Sequence, residues 1–179
     1  YKRQVQEHLF YGHDVLRMCD LKGAQRNRGA EDEDATVLDE NLFRFNNGYP
    51  LLLSEIAKQR LTRALWNDTL FLSSINVMDY SLLLGIYRPP DRSMDPASKE
   101  ALLQDLARRC RGCAFVSHDR QKVYFFGIID VLEKFTLRWR LQRMVLRIFY
   151  CLAMRWTSSD GISAMPPSLY ADRFQTFVS

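Results

Sequence analysis

Asp20-Leu21-Lys22-Gly23-Ala24-Gln25-Arg26-Asn27-Arg28 is a strand end that breaks at a glycine into a basic turn. The segment before it, Val15 to Leu21, mixes apolar and polar residues as a half-buried strand does, so Lys22 is delivered at the strand's end. Lysine there is a point charge on a flexible stem, and Gly23 lets the backbone come close to a ligand. Together they suggest a phosphate-handling edge. Local composition alone fits a surface turn of solvated Lys and Arg equally well, so the reading depends on what lies further along the chain.

Two acidic residues occur at comparable places. Asp79 interrupts the apolar run from Ile75 to Ile86, and Asp130 ends the run Val123-Tyr124-Phe125-Phe126-Gly127-Ile128-Ile129. Carboxylates are rarely buried without a partner, and either one alone reads as a structural acid satisfied by amides or an arginine. Taken with Lys22 they form a set: an orienting acid or base, a metal-holding acid and a lysine for a transferred phosphate. Phosphoryl transfer needs those parts, because its catalysis is mostly positioning and neutralisation of charge on phosphate oxygens.

Six strings in order carry a family resemblance: D-L-K-G-A-Q-R-N-R, V-L-D-E-N-L, D-T-L-F-L-S-S, V-M-D-Y-S-L-L-L-G, G-I-I-D and P-P-S-L-Y-A-D-R-F. The chain resembles the phosphatidylinositol phosphate kinase family from about Leu9 to Phe177, with an interruption between Arg88 and Lys122. It is most similar to the phosphatidylinositol 3-phosphate 5-kinase branch, in which L-F-Y-G also precedes the first motif. The resemblance implies an ATP- and Mg²⁺-dependent lipid kinase that phosphorylates the inositol ring of a phosphatidylinositol phosphate, at position 5 of phosphatidylinositol 3-phosphate. It implies that Lys22 contacts the transferring phosphate with Asp20 supporting it, that Asp79 orients or deprotonates the inositol hydroxyl, and that Asp130 holds Mg²⁺ as the aspartate of a protein-kinase D-F-G does. Arg26 and Arg28 meet lipid phosphates or order the acidic run Glu31 to Asp34. Ala24 stands where the family usually carries Ser, which removes a hydroxyl beside the lysine.

The family also needs an upstream lobe with a glycine-rich strand-turn-strand and a strand lysine, and nothing before Lys22 supplies either. The expectation is therefore a C-terminal lobe, residues 1–179, whose nucleotide lobe is missing and which is inactive alone. Two other functions stay open: a non-catalytic phosphoinositide-binding or scaffold remnant, and a soluble inositol phosphate kinase. At 179 residues, 47% apolar and with a net charge of +4, the chain suits one core and anionic partners. The partners expected are a phosphoinositide in a membrane surface and protein scaffolds, not nucleic acid, for which no recognised module is present. No run approaches the roughly 20 apolar residues of a membrane span, so a cytoplasmic protein peripheral on an endosomal or vacuolar membrane is expected.

The fold class expected is α+β, an antiparallel sheet flanked by helices. Strands are placed near 13–21, 35–39, 75–87 and 122–131. Pro50 opens a helical pattern through Leu53, Ile56, Ala57, Leu61, Ala64 and Leu65, Asp68 caps a short following helix, and Tyr170, Phe174 and Phe177 form a final helix after Pro167. Residues 88–122 read as an excursion from the core, with an amphipathic helix after Asp95-Pro96 aligning Leu102, Leu103 and Leu106. The segment at about 131–160 corresponds to the family's activation or specificity loop. From Lys134 to Ser159 it carries no acid but includes Lys134, Arg138, Arg140, Arg143, Arg147 and Arg155, and a helical face from Leu141 to Leu152 with Trp139 and Trp156 near its ends suits a lipid interface. Lys134, Arg138 and Arg140 are the candidate substrate-binding cations there. Cys19 and Cys151 read as small buried hydrophobes. Cys110 and Cys113 make a C-x-x-C pair, for which zinc would require two more ligands, His118 being one candidate.

Overall fold

In the computed structural model, residues 8–10, 12–23, 37–39, 42, 51–89, 95–110, 112–136, 141 and 165–178 are described. A five-stranded sheet runs β2-β1-β3-β5-β4 across the molecule. Its strands are β1 (Arg17–Leu21), β2 (Val37–Leu38), β3 (Ser81–Tyr87), β4 (Ala114–Val116) and β5 (Val123–Ile129), and its helices are α1 (Glu55–Ser74), α2 (Pro96–Arg109) and α3 (Pro167–Val178). β1, β3, β5 and β4 are antiparallel neighbours, whereas the two-residue β2 lies parallel to β1 through the pairs Cys19 with Val37 and Asp20 with Leu38. The architecture is the expected α+β one, with antiparallel strands making up most of the sheet.

Alternation along the strands gives the sheet two buried faces. Cys19, Leu21, Leu82, Leu84, Ile86, Tyr124 and Phe126 pack with Leu65 and Leu72 of α1 and with Tyr170 and Phe174 of α3. Val123, Phe125 and Ala114 on the other face pack with Leu103 and Leu106 of α2 and with Phe10. Each fully buried Leu, Ile, Val or Phe among them contributes about 1.5–3 kcal/mol by leaving water. Two strand glycines admit the chain that precedes β1: a Cβ at Gly85 would fall 2.2 Å from the Phe10 ring, and one at Gly127 would fall 3.2 Å from a Leu9 methyl. The Phe10 ring also stands edge-on to Phe125, with centroids 6.0 Å apart. Leu9 and Phe10 of the L-F-Y-G string thus lie flat across the sheet because both strands lack side chains there.

Several expectations need correction. α1 is one continuous helix, capped by Ser54, whose Oγ accepts from the Ala57 amide. Asp68 lies within it and starts no second helix, because the buried stripe of Leu65, Thr69 and Leu72 carries the helical period straight through. Ile56 and Ala64, assigned to the inner face, are exposed. The third strand begins at Ser81, since Asn76 and Asp79 take left-handed backbone and turn the chain before it. The 88–122 segment is no excursion: α2, capped by Asp95 with Pro96 in its first turn, covers the second face, and β4 extends the sheet. α2 is the amphipathic helix expected after Asp95-Pro96, with Leu103 and Leu106 buried and Leu102 partly so, whereas β4, which buries Ala114, was not foreseen. Among the described residues no group of three or more His, Cys, Asp or Glu could hold a metal, so the C-x-x-C pair lacks a zinc set there. A turn joins Cys110 and Cys113, in which the Cys113 amide donates to the Cys110 carbonyl at 2.8 Å. No described helix is long and apolar enough to cross a membrane.

Gly85→Ala is expected to lower stability by about 1–3 kcal/mol in urea unfolding, and in a Phe10→Ala background the same substitution should cost much less, because the ring that it strikes is gone. Burial pushes the Cys19 thiol up from 9.0 to about 12 and raises the phenols of Tyr80, Tyr124 and Tyr170. The unfolded chain therefore releases these protons at lower pH than the folded one, so stability is intact below pH 9 and falls as pH rises towards 12, which unfolding at stepped alkaline pH measures.

Candidate functional site

Register brings three strand ends together. Leu21 pairs with Leu82, and Ser81 pairs with Ile129, so the residues just beyond β1, just before β3 and just after β5 share one end of the sheet. These are Lys22, Asp79 and Asp130. The Lys22 Nζ lies 3.0 Å from Asp79 Oδ1, with the two side chains 18% and 29% exposed. That oxygen accepts no aligned hydrogen bond, so the attraction is coulombic, in a setting less screened than open surface. Asp130 is exposed at the end of β5.

The backbone at this edge is unusual. Asp79 and Asp130 have φ of 62° and 61°, and Asn76 has 57°. Non-glycine residues hold such angles at a cost, with Asp and Asn the most tolerant, and the surroundings must enforce them. Around Asp79 the enforcing bonds are visible. The Met78 amide donates to the Glu133 carbonyl at 3.0 Å, the Phe135 amide donates to the Asn76 carbonyl at 2.8 Å, and Val77 bridges to Lys134. The start of the segment after Asp130 is therefore laced to the turn that carries Asp79. Lys134 itself is exposed at that bridge.

α3 closes the edge from the other side. The Tyr170 hydroxyl donates to the Tyr80 carbonyl, and the Tyr170 and Phe174 rings stand edge-on to the Tyr80 ring at 4.7 and 5.2 Å. Arg173 lies over the Tyr170 ring and donates from Nη2 to the Lys22 carbonyl at 3.3 Å. Gly23 has φ of 69°, and a Cβ on it would fall 3.0 Å from the Phe177 Cβ, so a side chain there would be strained and would press on α3. The P-P-S-L-Y-A-D-R-F string thus has a physical task, which is to pin the residues next to Lys22 and Asp79.

Two features were not anticipated from sequence. Asp39, 3% exposed, accepts from the Lys22 amide at 3.0 and 3.2 Å and from the Gly23 amide at 2.7 Å. Its only signal was an acid inside V-L-D-E-N-L, and its contact depends on the β1–β2 pairing. The second is a groove of about 540 Å³ on the α2 side of the sheet, lined by Leu9, Phe10, Met18, Leu83, Gly127 and Ile129 among others. It reaches Ile129, the residue before Asp130, and no charged motif marks it. Asp20 lies in β1, paired with Leu83 of the groove wall. Arg26, Arg28, Arg138 and Arg140, together with most of the acid-free segment, lie outside the described residues.

This sheet end thus gathers a lysine and two aspartates beside an apolar groove. The chain belongs to the phosphatidylinositol-4-phosphate 5-kinase family, whose model matches residues 4–111 and 96–179. It is 41% identical to the 1-phosphatidylinositol 3-phosphate 5-kinases of human and mouse over 176 residues, which is 95% of this chain and 7% of each relative. Over 85 residues, 46% of the chain and 4% of the relative, it is 44% identical to the 1-phosphatidylinositol 3-phosphate 5-kinase FAB1 of Saccharomyces cerevisiae. The chain thus spans only a small part of the length of the curated relatives it matches. Tyr170→Phe is expected to cost about 1–2 kcal/mol, read by chemical unfolding, because the buried Tyr80 carbonyl loses this donor.

Proposed function

We propose that this chain is the phosphoryl-acceptor side of a lipid kinase that transfers the γ-phosphoryl group of ATP to the inositol ring of phosphatidylinositol 3-phosphate, at position 5. The observation that carries the reading is the Lys22–Asp79 ion pair, 3.0 Å apart at the same sheet end as Asp130. A flexible ammonium held by a carboxylate without an aligned hydrogen bond can turn to a phosphate oxygen when one arrives. Asp79, relieved of part of that contact, then faces the incoming hydroxyl. The hydroxyl oxygen attacks the γ phosphorus, the bond to the leaving ADP oxygen breaks, and the hydroxyl proton passes to the Asp79 carboxylate. Lys22 offsets the charge that builds on the moving group.

The apolar groove suits the flat face of a nucleotide base, with Leu83 and Ile129 in its wall, and it leads towards Asp130. Asp130 is an exposed hard oxygen donor, the type that Mg²⁺ selects. Because Mg²⁺ takes one or two carboxylates and fills its other positions with phosphates and water, no dense acidic cluster is needed. Mg²⁺ there would neutralise the β and γ phosphates. Asp20 supports Lys22 from the same strand. The lipid head group would be met by Arg26, Arg28, Lys134, Arg138 and Arg140, on a protein peripheral to an endosomal or vacuolar membrane with its nucleotide lobe supplied by further sequence. The names of the relatives support the substrate, and the charge of the acid-free segment supports contact with anionic lipid.

The test is phosphate incorporation into vesicles of stated lipid by the full-length protein. Asp130→Asn and Lys22→Ala are each expected to lower kcat by about 10²-fold or more, and chelation of Mg²⁺ should abolish transfer. Wild-type protein that phosphorylates no phosphoinositide under these conditions would falsify the reading.

A further inference from the structure

We propose that Asp39 is a positioning residue for phosphoryl transfer, acting through Lys22. This rests on the lipid-kinase reading above. β2 lies parallel to β1 with Leu38 opposite Asp20, so Asp39 comes level with the end of β1. There the ladder stops, and the next two amides, those of Lys22 and Gly23, would be left to find other acceptors. The Asp39 carboxylate takes both of them, at distances from 2.7 to 3.2 Å.

A buried carboxylate is expensive. Taking it out of water costs several kcal/mol unless hydrogen bonds repay it, and a well-packed neutral side chain would finish a strand more cheaply. The carboxylate does more than finish the strand: it fixes the peptide that carries the Lys22 side chain. From the opposite side the Arg173 guanidinium holds the Lys22 carbonyl at 3.3 Å. With its amide and its carbonyl both tied, Lys22 has a defined Cα–Cβ direction, and its flexible stem needs only to complete the reach to Asp79. A lysine released from these ties would sample other directions, and a misplacement of about 1 Å at a reacting group costs on the order of 10²-fold in rate.

The test is a mutant cycle on the full-length protein, assayed with phosphatidylinositol 3-phosphate vesicles and with a thermal melt of every variant. Asp39→Ala is expected to lower kcat by about 10²-fold while the KM values for ATP and lipid stay within about twofold. In a Lys22→Ala background it should cost less than about threefold, because the group that it positions is already gone. Asp39→Asn, which keeps one carbonyl acceptor and the volume, should retain intermediate activity, and it takes over the cycle if Asp39→Ala fails to fold. Full kcat without the Asp39 carboxylate would overturn the proposal, as would equal losses with and without Lys22, which would mean that Asp39 only maintains the fold. A wild type inactive on every phosphoinositide would overturn the kinase reading and this proposal with it, a result distinct from an active enzyme indifferent to Asp39.

Discussion

The carbonyl groups of Lys22 and Tyr80 are both taken by side chains of α3, Arg173 for the first and Tyr170 for the second. One carbonyl belongs to the lysine at the sheet edge, and the other belongs to the residue after its aspartate partner. A single helix therefore sets the relative position of two strand ends whose own ladder bonds have already stopped. The aromatic contacts of Tyr170 and Phe174 with Tyr80 give that helix a defined seating, since edge-to-face rings are directional as well as apolar. If that seating shifted, the left-handed turn at Asp79 would lose one of its supports and Lys22 would lose the anchor on its carbonyl. The remainder of the sheet could stay intact, because its two cores are built from other contacts.

Charge against an apolar background was legible in the sequence. Lys22, Asp79 and Asp130 each stand where a hydrophobic run begins or stops, and the structure gathers all three at one sheet end. β3 and β5 were equally visible, since uninterrupted apolar runs of that length have few other uses. What escaped was non-local. Asp39 has meaning only once a two-residue strand pairs parallel with β1, a contact too short to leave a pattern. The apolar groove escaped for a related reason: its walls are ordinary core residues, and it is left open by the seating of Leu9 and Phe10 across two glycines.

Local signals also misled where a residue could serve two purposes. Asp68 resembles a helix cap, yet an aspartate on the exposed side of a long helix is tolerated when the opposite stripe is continuous. The segment around α2 and β4 reads as an excursion because the family's motifs are interrupted between Arg88 and Lys122, although its amphipathic helix is visible. Its inner side has only Leu103 and Leu106 fully buried, and these suffice because the Phe10 ring and the edge strand complete the second core. Membership in the family thus coexists with a local sequence that hides how the sheet is finished.

The tie between Arg173 and Lys22 spans 151 positions of sequence, and that between Tyr170 and Tyr80 spans 90. Contacts of such separation come late, because the loop entropy of bringing distant segments together must be offset before they form. During synthesis, β1, β3 and β5 leave the ribosome well before α3 does, and they can pair in its absence. The polar edge would then exist for a time as a sheet end with an unfastened lysine. Assembly of the site is in this sense a checkpoint on completion of the chain: a lobe interrupted before Tyr170 has the strands, but neither of the two ties that align them.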